Sequence, residues 1–296
     1  MTTGLLSELG RRIAERWVAL LVLPGLVFTA TAAAAFSLGH GDWAELDLLR
    51  DRLADLGAGS GAGAQPGSVR TALLLTGVVA ASAASAFVAR ALGAPFEALL
   101  LGRWPRVLRR PAAALTRRRR AAWRALDERY ETARAAGADG HHLGELADDR
   151  NRLALAEPRH PTWTGDRMHA PATRVEREYH LDLAAAWPRL WLLLPDSSRE
   201  PLAAARQRFD EANALGGWAV LYTALGALWW PGALLGLSIG YVARRRARVA
   251  ADGYAELVEA AVDVHLHELI EHFDDATRPV RPQAGARVTE RFRKAT

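Results

Sequence analysis

A chain of 296 residues is long enough for two compact units, and its 50% hydrophobic content conceals a very uneven distribution. The formal net charge of +5 rests almost wholly on arginine, because Lys294 is the sole lysine; no base-stacking aromatic platform accompanies it, which argues against a nucleic-acid partner. The absence of cysteine excludes disulfides, thiolate catalysis, Cys-ligated zinc and iron–sulfur clusters.

Residues 1–16 form an amphipathic N-terminal segment. Within it, LLSELGRRIAER (Leu5–Arg16) spaces Leu5, Leu9 and Ile13 by helical turns and gathers Arg11, Arg12 and Arg16 on a basic side. Trp17–Leu38 then runs without a charge, long enough to span a bilayer and longer than the roughly 7–15 residues of a signal-peptide core. Residues 40–70 hold Asp42, Glu45, Asp47, Asp51 and Asp55, with a short helix suggested by Leu46, Leu49, Leu53 and Leu56. GAGSGAGAQPGS (Gly57–Ser68) reads as a flexible linker, since no strand precedes it and no Gly-Lys-Ser/Thr ends it. Thr71–Ala89 is the second expected span. Its small residues Gly77, Ala81 and Ser85 form a stripe suited to close helix packing, Arg90 stands at its end, and Pro95 is expected to close or bend it. Together residues 17–101 make a first membrane hairpin with an external loop at 40–70.

Arg103–Arg120 is the most basic segment, and the positive-inside rule places it in the cytosol with both termini. Residues 102–212 are expected to be a cytosolic helical insert. Trp123, Leu126, Tyr130 and Ala133 mark one helix ending near Gly137; Leu143, Leu146, Leu153 and Leu155 mark another before Pro158. RHPTWTGDRMHAPAT (Arg159–Thr173) is expected to be a loop. Leu181–Pro195, interrupted by Pro188 and carrying Asp182 and Arg189, is too short and too charged to span, so it is buried in the insert or interfacial. Asp196–Ser198 reads as a helix start.

Leu215–Ala243 is uncharged and stops at Arg244, Arg245, Arg246 and Arg248. Trp230–Pro231–Gly232 predicts a turn or kink in its middle. A single crossing would strand that Arg cluster outside. A short hairpin over 213–248 keeps it inside, at the cost of arms of about 14 residues that reach only about 21 Å. The tail, 249–296, holds an amphipathic helix at Tyr254–Phe273 and, beyond Pro279 and Pro282, an Arg-rich end expected to be disordered.

PTWTGD (Pro161–Asp166), REYHLDLAAAWPRLWLLLP (Arg177–Pro195), the WWP turn at 229–231 and YAELVEAAVDVH (Tyr254–His265) resemble a group of uncharacterised actinobacterial integral membrane proteins. In that group a PTxxGN segment precedes YGLD…WPRL…LP between two membrane hairpins. Here Asp166 replaces the usual Asn and His180 the usual Gly. The resemblance implies four membrane segments and a cytosolic insert, and no activity.

No catalytic, cofactor or metal site follows from the residues. In VHLHELIEHF (Val264–Phe273), His-Glu-x-x-His and His-x-x-Glu-His each fail by one position, leaving His267–Glu271 and Glu268–His272 as surface pairs. His141–His142 is expected in a loop. Ser197 and Ser198 lack a nucleophile elbow and suit capping. Pro161–Asp166 with Arg167 and His169 is the best polar cluster, expected to be a structured loop closing on Trp187–Trp191. The expectation is an all-α, polytopic membrane protein of the bacterial inner membrane, not an enzyme and without cofactor, acting as a membrane-anchored interaction or scaffold module. The lipid bilayer, further copies of itself or a protein are its expected partners. An oligomeric channel or membrane-perturbing effector is the alternative.

Overall fold

The structure, a computed structural model, describes residues 23–41, 45, 47, 50, 68–273 and 282–294. Every regular element among them is helical. In chain order they are α1 (Leu23–Leu38), α2 (Ser68–Leu100), a 3-10 turn (Arg106–Leu108), α3 (Arg109–Ala135), α4 (Gly140–Leu153), α5 (Trp163–Tyr179), α6 (Leu183–Leu193), α7 (Asp196–Leu225), α8 (Trp230–Phe273) and α9 (Pro282–Lys294). The all-α expectation holds. The amphipathic segment 1–16, most of the acidic loop and the Gly-rich stretch up to Gly67 lie outside the described residues. The chain divides into two compact units: Met1–Phe96 with Asn213–Ala243, and Glu97–Ala212 with Arg244–Thr296.

The first unit is built on small residues. A Cβ at Gly25 of α1 would overlap the Ser82 carbonyl of α2, and one at Gly217 of α7 would overlap the Ala89 carbonyl. Both helices therefore approach at backbone distance. Ser82, fully buried, donates to the Val78 carbonyl at 2.7 Å. Phe28 meets Tyr222 edge-on at 5.1 Å and Trp218 at 5.8 Å, closing a small cluster over Ala35 and Leu225. The turn expected at Trp230–Gly232 falls slightly earlier. α7 stops at Leu225, Trp229 N–H donates to the Leu225 carbonyl, and α8 starts at Trp230 with Pro231 in its first turn, where a missing N–H costs little.

Large apolar side chains of this unit point outward: Leu23 and Phe36 on α1, Leu73, Leu75, Val79 and Phe87 on α2, and Leu234, Leu237 and Tyr241 on α8 are exposed. One helix among the described residues, Ala72–Leu100, is long and apolar enough to cross a bilayer, and only 17% of its apolar window is buried. Pro95 does not close it, because α2 continues to Leu100. The expected stripe of Gly77, Ala81 and Ser85 is only partly packed, with Ala81 exposed and Ser85 half-buried. Gly77 has open space around it, while Ser82, Ala86 and Ala89, on another face, are buried.

The second unit has a conventional core with α6 at its centre. Leu183, Ala186, Leu190 and Leu194 pack with Val175 of α5, Leu202 of α7, Val258, Val262, Leu266, Leu269 and Ile270 of α8, and Ala284, Val288 and Phe292 of α9. Asp182 caps α6 by accepting from the Ala184 and Ala185 N–H groups at 3.0 and 3.3 Å. Pro188 lies inside α6 rather than interrupting it, and the Arg189 guanidinium donates to the Ala185 carbonyl at 2.8 Å. Of the two readings for Leu181–Pro195, burial in the core is the observed one, with Trp187 and Trp191 half-buried at its edge.

Three further expectations need correction. Trp163–Tyr179 is a helix, not a loop, because Thr162 caps it by accepting from Gly165 N–H at 3.0 Å and Pro171 is accommodated within it. The tail beyond Pro282 is a helix, not disordered: Ala284, Val288 and Phe292, four apart, form one buried face against α5 and α6. No break separates Arg248 from Tyr254, since α8 is continuous over 44 residues.

Leu190 and Leu192 offer a direct test of the register. Leu190→Ala is expected to cost about 2–5 kcal/mol in chemical denaturation, while Leu192→Ala, at a 77% exposed side chain, should cost under about 0.5. His180, which ends α5 with φ +51°, gives a second: His180→Gly should stabilise by about 1 kcal/mol, read as a higher Tm.

Candidate functional site

The polar cluster singled out in the sequence forms a network of charged contacts in the second unit. Asp166 and Arg167 are neighbours on α5 and face different partners. Asp166 Oδ1 accepts the backbone N–H groups of Arg159 and His160, both at 2.8 Å, and lies 3.1 Å from His160 Nδ1. Its Oδ2 receives Arg119 of α3 at 2.8 Å. Burial alone would raise the Asp166 pKa. The hydrogen bonds from His160 and the two backbone amides, with the Arg119 charge, outweigh that and hold it below its ordinary value of 3.8.

Arg167 is 5% exposed, so its charge must be neutralised in place. Nε donates to Asp252 at 2.5 Å and Nη1 to Glu259 at 2.7 Å. These two carboxylates stand seven residues apart, two turns along one face of α8. Desolvation opposes the guanidinium charge, but the two carboxylates raise its pKa and keep it ionised. One turn further along, Arg174 pairs with Asp263.

The segment between α4 and α5 is tied down by the same region. Arg119 also donates to the Leu153 carbonyl at 3.2 Å, Trp123 Nε1 to Ala154 at 2.9 Å and Arg120 to Pro158 at 3.3 Å. Arg248 of α8 stacks over Trp163 at 4.2 Å and donates to the Arg152 carbonyl. Thr162 Oγ1 donates to the Leu100 carbonyl as well as capping α5.

Beside this network opens a cavity of about 360 Å³, walled by Leu155, Arg159, His160, His169, Arg174 and Arg177 among others. His160 and His169 stack with ring centroids 4.2 Å apart and planes at 24°. Both rings engage through Nδ1, His160 with Asp166 and His169 with the Gly165 carbonyl at 2.7 Å. No three His, Asp or Glu side chains among the described residues could hold a metal.

The other candidate residues are dispersed. His267 lies 3.6 Å from Glu271, as its spacing suggests, but Glu268 pairs with His265 at 3.2 Å, and His272 bonds to the Glu268 backbone carbonyl instead. His141 and His142 sit in the first turn of α4, not in a loop, where Asp139 caps the His142 N–H at 2.8 Å. Ser197 and Ser198 occupy the first turn of α7 beside an Asp196–Arg199 pair. Sequence reasoning found Asp166 and Arg167. It missed Arg119, Asp252 and Glu259, whose only signal is their helical spacing on segments far away in the chain.

No protein-family model matches this chain, and neither the curated proteins nor the solved structures contain a significant match.

Removing Arg167 leaves two carboxylates facing each other across an unfilled guanidinium site. Arg167→Ala should therefore destabilise by about 3 kcal/mol in urea unfolding, and Arg167→Lys should recover little, since one ammonium cannot serve both acceptors in the same geometry. For Asp166 the sign runs with a depressed pKa. Its stabilising contribution is complete above pH 3.8 and is lost as pH falls below it, so Asp166→Ala should flatten the acid limb of a stability–pH profile.

Proposed function

We propose that this chain is a multi-pass protein of the bacterial plasma membrane, with the first unit as anchor and the second as an interaction or scaffold module in the cytosol. The observation that carries the reading is the inverted distribution of the first unit: Leu73, Leu75, Phe87, Leu237 and Tyr241 outside, Gly25, Ser82, Ala86 and Ala89 inside. In water such a surface would be an aggregation hazard. In lipid it is what packing requires, because helices there associate through close backbone approach and not through burial of large side chains.

Charge supports one orientation. Arg90 follows the most apolar part of α2, and Arg244, Arg245, Arg246 and Arg248 follow the α7–α8 hairpin. Putting all of them with Arg103–Arg120 on the cytosolic side requires two crossings or re-entries and places residues 40–70 outside. The α7–α8 arms are short for a roughly 30 Å core, and local thinning or tilt absorbs mismatch at fractions of a kcal/mol per Å. The resemblance to actinobacterial membrane proteins points the same way.

A second reading, an oligomeric channel or membrane-perturbing effector, is favoured by the open Gly77–Ala81 face of α2, which would let another copy approach closely. Subunit stoichiometry in detergent separates the two: a ring with an axial pore supports the channel, a monomer or dimer the scaffold.

The topology can be mapped because the chain has no cysteine of its own. His40→Cys, Ser198→Cys and Val264→Cys, each alone, are to be treated with a membrane-impermeant thiol reagent in intact cells. Position 40 should label, while 198 and 264 should stay protected until the cells are opened. Labelling of 264 in intact cells would mean a single crossing and a wrong topology. Release of the protein by alkaline carbonate would remove the membrane reading altogether.

A further inference from the structure

We propose that the stretch from the end of α2 into α3, residues 103–118, is a binding arm for anionic phospholipid headgroups, resting on the membrane reading above. Between Glu97 and Asp127 the sequence contains no acidic residue. The structure finds partners for some of the arginines there. Arg103 lies 3.9 Å from Glu97, Arg119 pairs with Asp166, and Arg120 and Arg124 share Glu157. Arg106, Arg109, Arg110, Arg117 and Arg118 are exposed, and no acidic side chain among the described residues pairs with them. On α3, at 100° per residue, Arg109, Arg110 and Arg117 fall within one 100° arc, so three guanidinium groups share a face.

Apolar exposure in the same place makes this more than a solvated basic face. Val107, in the 3-10 turn between Arg106 and Arg109, is 86% exposed, and Leu108 and Leu115 are also exposed. No residue of α3 is buried. Guanidinium groups suit phosphate, since their planar donor fork matches its oxygens. A protruding valine among arginines suits the boundary between headgroups and acyl chains. The position along the chain argues for lipid over other phosphates: only Leu101 and Gly102 separate this arm from α2, a helix long and apolar enough to cross a bilayer. Each arginine at an anionic surface contributes about 1 kcal/mol, close to a five-fold change in affinity at 1.4 kcal/mol per ten-fold.

The test uses the full chain in lipid nanodiscs with one introduced cysteine carrying an environment-sensitive fluorophore. Val107→Cys reads the arm, and Leu75→Cys, at an exposed position of α2, reads the bilayer core. In discs of phosphatidylcholine with phosphatidylglycerol the Val107 probe should shift to the blue relative to phosphatidylcholine alone, and 1 M NaCl should reverse most of the shift. Changing Arg106, Arg109, Arg110, Arg117 and Arg118 together to Gln should abolish the difference between the two lipids, while the Leu75 probe stays apolar throughout. A Val107 probe equally wet in both lipids, or equally apolar in both, overturns headgroup recognition and leaves the membrane reading standing. A Leu75 probe in water overturns both. A response of the Val107 probe to an added single-stranded oligonucleotide, without one to phosphatidylglycerol, would assign the arm to nucleic acid instead.

Discussion

The second unit depends on one buried charge. Arg167 is sealed from solvent, so α5 can sit only where α8 presents Asp252 and Glu259 to both ends of its guanidinium. A slip of α8 by one residue would turn both carboxylates about 100° away and leave the charge uncompensated. The pairing specifies register more than it adds net stability, since well-packed apolar residues often serve as well energetically. Asp166, the preceding residue, then fixes the opposite flank by gathering Arg119 and the 159–160 backbone. Two adjacent residues of opposite sign thus lock α3, α5, α8 and the connecting segment, and the apolar core about α6 supplies the bulk of the burial.

The first unit follows a different rule. Its interior holds little large apolar surface to remove from water, so the gain from burial that organises the second unit is small there. What fixes it is contact between backbones: Gly25 under the Ser82 carbonyl and Gly217 under the Ala89 carbonyl leave no room even for a methyl group. Dispersion between closely apposed backbones, with Ser82 satisfied inside its own turn, then carries more of the packing than removal of large apolar side chains from water.

Much of this was legible from local pattern. The short, charged Leu181–Pro195 segment, the Asp196 start of α7 and the break near Trp229 each rest on signals a few residues long. Proline misled where tertiary structure accommodates it: Pro171 and Pro188 lie within helices. α5 was obscured because Gly165 and Pro171 lower its intrinsic propensity, although Thr162 already offered a cap. α9 was hidden by its arginines, yet Ala284, Val288 and Phe292 carry a clear four-residue period. The partners of Arg167 could not be read at all, because Asp252 and Glu259 are 85 and 92 residues away and nothing local distinguishes them from other acids on α8.

The chemistry of the polar cluster bears on what kind of protein this is. A general base works best with a pKa near the working pH, which for a carboxylate means an upward shift in an apolar, unpaired setting. Asp166 is shifted the other way, and both its oxygens are already occupied by donors. Arg167 spends its charge on two carboxylates, and the stacked imidazoles of His160 and His169 are oriented by fixed acceptors on the same side of each ring. Groups so committed hold a shape and have little left to offer a reacting bond. The cavity beside them and the exposed arginines of the α3 arm are where polar groups stand open to solvent.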